Sequence, residues 1–196
     1  WIRIAALIVL GGLTFAAVVT DNRPRLKNLL VKQVHAWNVF HYVLATKYFD
    51  EVGYYDLYLA AVLADKEITG VFKNFRRIRD MHSYKEIPMQ KALAKAEKRG
   101  VRERFSDERW ESFKGDLRKI LPYQSKHSWY NVVRDLGFNP SPAWLILHRP
   151  LLNHVDIQKG KNLERLCSIQ IVLFLITFFV CIWGFGTRRS LLIFLW

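Results

Sequence analysis

The run LCSIQIVLFLITFFVCIWGF, residues 166–185, decides the fold expected from this sequence, because its twenty consecutive residues carry no charged side chain. A helix rises about 1.5 Å per residue, so roughly twenty residues cross a hydrocarbon layer roughly 30 Å thick. Trp183 stands near its end, where an interfacial anchor belongs. At the other end of the chain, IAALIVLGGLTFAAVVT, residues 4–20, is uncharged over seventeen residues. That is the lower limit for a span, and Trp1 and Ile2 extend it. A secretory signal is the competing reading, since Arg3 precedes the run and small residues stand at Ala16 and Ala17. The apolar part exceeds the usual core of about 7 to 15 residues, and Thr20-Asp21-Asn22-Arg23-Pro24 lacks a small-x-small cleavage site.

The expected fold class is therefore all-α, an integral membrane protein whose two transmembrane helices bracket a helical extramembrane domain. The layout is transmembrane helix 1 at 1–20, a helical periplasmic segment at 21–165, transmembrane helix 2 at 166–185, a cytoplasmic turn at 186–189 and the start of a truncated third span at 190–196. The absence of an initial Met and the abrupt SLLIFLW ending predict part of a larger polytopic protein or a processed product. Arg188 and Arg189, close to the second span, place the short turn in the cytoplasm by the positive-inside rule, and Arg3 agrees. The expected location is the bacterial inner membrane, with the long segment on the periplasmic side.

That long segment is itself basic: 27 of the 30 Lys and Arg residues lie in it, with all 17 Asp and Glu. Loops longer than about 60 residues translocate largely regardless of charge, so this excess does not reverse the orientation. It points to anionic lipid headgroups and to other membrane-protein subunits as partners, and away from nucleic acid. Cys167 and Cys181 are fourteen residues apart on one helix, or roughly 21 Å, and cannot bond to each other.

No sustained apolar-polar alternation occurs between residues 21 and 165, whereas helix signals recur. Trp37, Phe40, Leu44 and Tyr48 fall at helical spacing with Gly53 as a stop, and a short helix follows over 55–65. Pro88 opens a third, closed by Gly100. Ser106 caps a fourth, with Asp107 and Glu108 in its first turn and Pro122 at its end. Ser128 caps a fifth, stopped by Gly137, and Ser141-Pro142 starts a sixth that Pro150 should kink or end.

Four motifs invite chemistry. His35 and His41, like His148 and His154, are six residues apart; six residues rotate a helix by about 600°, so neither pair shares one metal from one helix, and no metal or other cofactor is expected. KYFDEVGYYDLY, residues 47–58, reads either as a carboxylate site, with Asp50, Glu51 or Asp56 as general base beside tyrosines, or as a turn between two helices. FKNFRRIRD, residues 72–80, reads either as a phosphate or headgroup site through Arg76, Arg77 and Arg79, or as a solvated helix. A Gly-rich phosphate loop, a zinc-spaced cysteine pair and a Gly-x-Ser-x-Gly elbow are all absent from the sequence.

The phrases WNVFHYVLATKYFDEVGYYDLY (37–58), FSDERWESFKGDL (105–117), LGFNPSPAW (136–144) and WGFGTRRSLLIFLW (183–196) resemble, in the same order, a family of large, uncharacterised bacterial polytopic inner-membrane proteins. The family's layout is similar to that of the GT-C glycosyltransferases. The resemblance implies a lipid-linked sugar donor and an acidic catalytic residue just after the first span, a place that Asp21 occupies, with Asp50 and Glu51 as second candidates. Asp21 is followed by Asn22-Arg23-Pro24 rather than by a paired carboxylate, and the later spans that build the donor cavity are missing. Two functions are thus expected: a membrane-anchored accessory or scaffolding subunit of a larger complex, respiratory or photosynthetic for example, or the N-terminal part of a GT-C-like glycosyltransferase.

Overall fold

The computed structural model describes residues 34–137 and 141–195, with side chains described except at 170–174 and 193–195. The chain divides into two compact units, and His35–Gly160 is the one that carries the chemistry. Its first helix, α1, is α-helical over Ala36–Asn38, π-helical over Val39–Leu44 and α-helical again over Ala45–Lys47. The wider π turn, a local form found often at functional sites, brings Val39, Phe40 and His41 as well as Leu44 to the buried side. A short α2, Phe49–Val52, ends at Gly53, whose φ of 54° is costly for any residue with a Cβ.

Helix α3, Leu57–Ile68, packs on the later elements of this unit and is buried on nearly every face. A hairpin follows, of β1, Arg77–Asp80, and β2, Lys85–Pro88, paired antiparallel with Ile78 opposite Ile87. Helices α4, Met89–Lys98, and α5, Asp107–Ile120, lie against α3. The unit closes with α6, Lys126–Val132, and α7, Pro142–Asn153. Its core is aromatic: Phe40 meets Trp129 edge-on at 5.7 Å, Tyr48 meets Phe113 edge-on at 5.0 Å, and Trp110 stacks on Phe113 at 5.8 Å. Full burial of one such ring is worth about 1.5–3 kcal/mol.

Most helix signals land where expected. The Ser106 hydroxyl accepts from the Arg109 amide, Ser141 accepts from Trp144 with Pro142 in the first turn, and Gly100 follows α4 with φ 58°. Others move. Ser125, not Ser128, caps α6, and the Ser128 amide is the donor. Pro150 does not end α7, which runs to Asn153. Residues 77–80 form a strand rather than a solvated helix: Ile78 and Asp80 turn inward while Arg77 and Arg79 turn out. Four residues are too few to register as an alternation, so the expected all-α class gives way to helices with one hairpin.

The second unit is described at Val34 and over residues 161–195. It holds α8, Asn162–Phe185, and α9, Thr187–Leu195, which pack together across a break at Gly186 with φ 77°. Among the described residues, no helix is long and apolar enough to cross a membrane. This overturns the expected two-span architecture. The N-terminal end of α8 carries Glu164 and Arg165. The expected turn at 186–189 is helical from Thr187 on, in the first turn of α9, which carries Arg188 and Arg189. Transmembrane helix 1, residues 1–20, lies outside the described residues. The inner-membrane location and the periplasmic side rested on those spans and are corrected with them.

Candidate functional site

Of the expected catalytic carboxylates, Asp21 lies outside the described residues. Asp50 and Glu51 share the single turn of α2, and each is taken by an arginine. Asp50 is exposed and pairs with Arg149 of α7. Glu51 is buried, and Arg109 of α5 holds it in a fork, Nε to Oε1 at 2.6 Å and Nη2 to Oε2 at 3.2 Å. The same guanidinium donates to the Lys47 carbonyl at 2.7 Å and sits 4.5 Å from the centre of the Tyr48 ring. Burial acts to lower the Arg109 pKa, but the bonds to Glu51 outweigh it and hold it above its already high ordinary value, so the cation is permanent. A carboxylate whose two oxygens both accept from a fixed cation has little to offer a substrate proton.

Beneath this pair, Asp116 is fully buried and completely satisfied. Its Oδ2 accepts from Lys47 Nζ at 2.8 Å and from the Tyr48 hydroxyl at 2.8 Å, and its Oδ1 accepts from Gln158 at 2.9 Å. The single phenolic proton of Tyr48 goes to this carboxylate while the Ser112 hydroxyl donates to the phenol oxygen at 2.8 Å. Burial and then the Asp116 charge push the Tyr48 phenol far above its ordinary value of 10.0, which keeps it a donor. An open cleft of about 420 Å³ lies over the network, lined by Lys47, Arg109, Glu111, Ser112, His154 and Gln158 among others. Both of its strong cations are already matched by a carboxylate.

The expected phosphate-binding arginines divide differently. Arg76 is exposed just before β1. Arg77 and Arg79, two apart on the strand, share its outer face and meet a residue that the local sequence does not point to, Arg134. Arg79 donates from Nε to the Arg134 carbonyl at 2.6 Å and from Nη1 to the Tyr84 carbonyl at 2.7 Å, bracing the hairpin turn where Tyr84 holds φ 55°. All three guanidiniums surround Glu86 of β2: Arg134 at 2.8 Å, Arg79 at 3.7 Å and Arg77 at 3.8 Å. The Arg134 hydrogen bond leads in holding the Glu86 carboxyl below its ordinary value of 4.5. Arg134 also lies over the Tyr130 ring at 4.7 Å, and its Nε is buried without a hydrogen-bond partner. Three permanent cations against one carboxylate leave a surplus of positive charge on this rigid edge.

Among the described residues, no group of three His, Cys, Asp or Glu could hold a metal ion. The buried His41 is engaged elsewhere: its Nε2 lies 2.8 Å from the Tyr58 hydroxyl while Trp37 supplies a backbone acceptor. Sequence reasoning did not single out Asp116, Arg109 or Arg134, because their partners lie far away along the chain, nor Glu86, which meets Arg77 and Arg79 only through the hairpin. No protein-family model, curated protein or solved structure matches this chain.

Proposed function

We propose that this chain is an accessory or scaffolding subunit of a larger complex, and that the arginine edge of its hairpin docks on an acidic protein neighbour. One observation carries the reading. Each carboxylate considered as a general base, among the described residues, is locked to an arginine, whereas Arg77, Arg79 and Arg134 outnumber the one acid between them. Charge of that kind steers and orients an acidic partner more than it performs chemistry. Arginine forks suit the task, since they pair carboxylates in a fixed plane. Gentle purification of the tagged chain from its own cells, followed by mass spectrometry, tests the proposal. Recovery with another polypeptide at fixed stoichiometry is expected, and a chain recovered alone contradicts it. Transfer from a lipid-linked sugar that fell with Glu51→Gln would replace this reading by the glycosyltransferase one.

A further inference from the structure

Asp56 stands at the N-cap position of α3, where an aspartate ordinarily accepts from a backbone amide of the first turn, yet its side chain makes no such bond. Both oxygens are turned to basic side chains from three distant segments. Oδ1 lies 3.0 Å from Nε2 of His82, in the hairpin turn, and 3.2 Å from Nε of Arg99, which closes α4. Oδ2 accepts from Arg99 Nη2 at 3.1 Å and from Arg104 Nη2 at 2.8 Å. Burial pushes the Asp56 carboxyl up, but the bonds from Arg104, Arg99 and His82 prevail and hold it below its ordinary value of 3.8.

The arrangement is layered. The Asp56 side chain is 3 % exposed, while those of Arg104, Arg99 and His82 are 35 %, 36 % and 27 % exposed. The carboxylate is thus the floor and the basic side chains are the rim. On that rim the side chains of Arg99 and Arg104 make no hydrogen bond other than to Asp56 among the described residues, which leaves the Nη1 groups of both and Nε of Arg104 unspent. Tyr55 adds a wall: its ring centre is 4.8 Å from that of His82, and 45 % of the residue is exposed. A simple staple would need one arginine for one carboxylate. Here two guanidiniums and an imidazole share one, so at least one positive charge is left facing water with its donors already oriented.

We propose that Arg99, Arg104 and His82, organised by Asp56 and walled by Tyr55, form a binding site for a phosphate group. A phosphate group suits both the surplus positive charge and the forked donors, since arginine pairs phosphate oxygens two at a time. Asp56 is a positioning residue, and the arginines are the ligands. The site is separate from the Glu86 edge and does not depend on the docking reading.

Isothermal titration calorimetry on the full chain tests it, with inorganic phosphate and phenyl phosphate as probes at constant ionic strength. Saturable binding is expected, weakened at least about tenfold by Arg104→Gln. Arg118→Gln, which removes the same charge from an exposed position on α5, should change it less than about twofold. Tighter binding of phenyl phosphate identifies an organic monoester as the ligand, and equal or tighter binding of inorganic phosphate identifies the free ion. Should circular dichroism show Arg104→Gln unfolded, Arg104→Lys decides: it keeps the charge and loses the fork, so weakened binding supports the site and wild-type binding overturns it. Absence of saturable binding to the wild-type chain, or equal losses in Arg104→Gln and Arg118→Gln, also overturns it.

Discussion

Acidification should weaken this fold through His41 well before its carboxylates titrate. Burial lowers the pKa of His41 from 6.5 to about 4, against smaller raising effects from Asp135 and from the Trp37 backbone. The neutral ring is held between Trp37 and the Tyr58 hydroxyl, itself a donor because burial pushes its phenol up. Between those two pKa values the unfolded chain binds a proton that the folded chain refuses, so stability falls as pH falls from 6.5 and the loss saturates near 4. The full difference, about 2.5 units, corresponds to about 3 kcal/mol, of which about 2 kcal/mol is lost by about pH 5. Asp56, Asp80, Glu67 and Glu86 have lowered pKa values, and most of their stabilisation is lost only as pH falls below about 4.5, under the pH of about 5 at which the comparison below stops. Urea unfolding at about pH 7 and about pH 5 reads the effect for wild type and for His41→Gln, whose amide oxygen can still accept from Tyr58. The wild-type loss should exceed the variant's by about 2 kcal/mol. Equal losses in the two proteins would refute the reasoning.

Three further outcomes are expected. Lys47→Met leaves the buried Asp116 carboxylate without its cation and should cost about 3–5 kcal/mol in urea unfolding. Gly137→Ala should cost more than about 1 kcal/mol, because φ is 83° there and an added Cβ would come within 2.6 Å of the Met81 methyl; a thermal shift of less than a degree would contradict it. Ser106→Ala removes the acceptor for the Arg109 amide and should cost about 1 kcal/mol, read from the chemical midpoint, with Ser128→Ala nearly neutral because Ser125 is the cap.

Local rules read helix ends well, since a capping hydroxyl or a positive-φ glycine acts within a few residues, as at Ser106 and Gly100. They failed at residues 77–80, where a strand is stabilised by Ile78 opposite Ile87 and by the return of β2, neither of which is a local property. They failed also for the spans, where an uncharged run of twenty residues outweighed every other consideration. The site was half legible. Glu51 and the arginine pair of β1 were singled out by residue type, but the Glu51 partner is 58 residues away and Arg134 lies 55 residues from Arg79. Asp56 was legible as one acid among three in a tyrosine-rich turn. That its side chain would abandon the helix cap for Arg99 and Arg104 depends on how α4 and the turn before α5 return to α3, which no spacing records.

The docking claim is tested most directly by reversing the hairpin's charge inside the cell. A tagged chain carrying Arg77→Glu and Arg134→Glu, purified gently and compared with wild type by quantitative mass spectrometry, should lose its co-purifying polypeptide while keeping a wild-type circular dichroism spectrum. Retention of that polypeptide at wild-type stoichiometry would contradict the account.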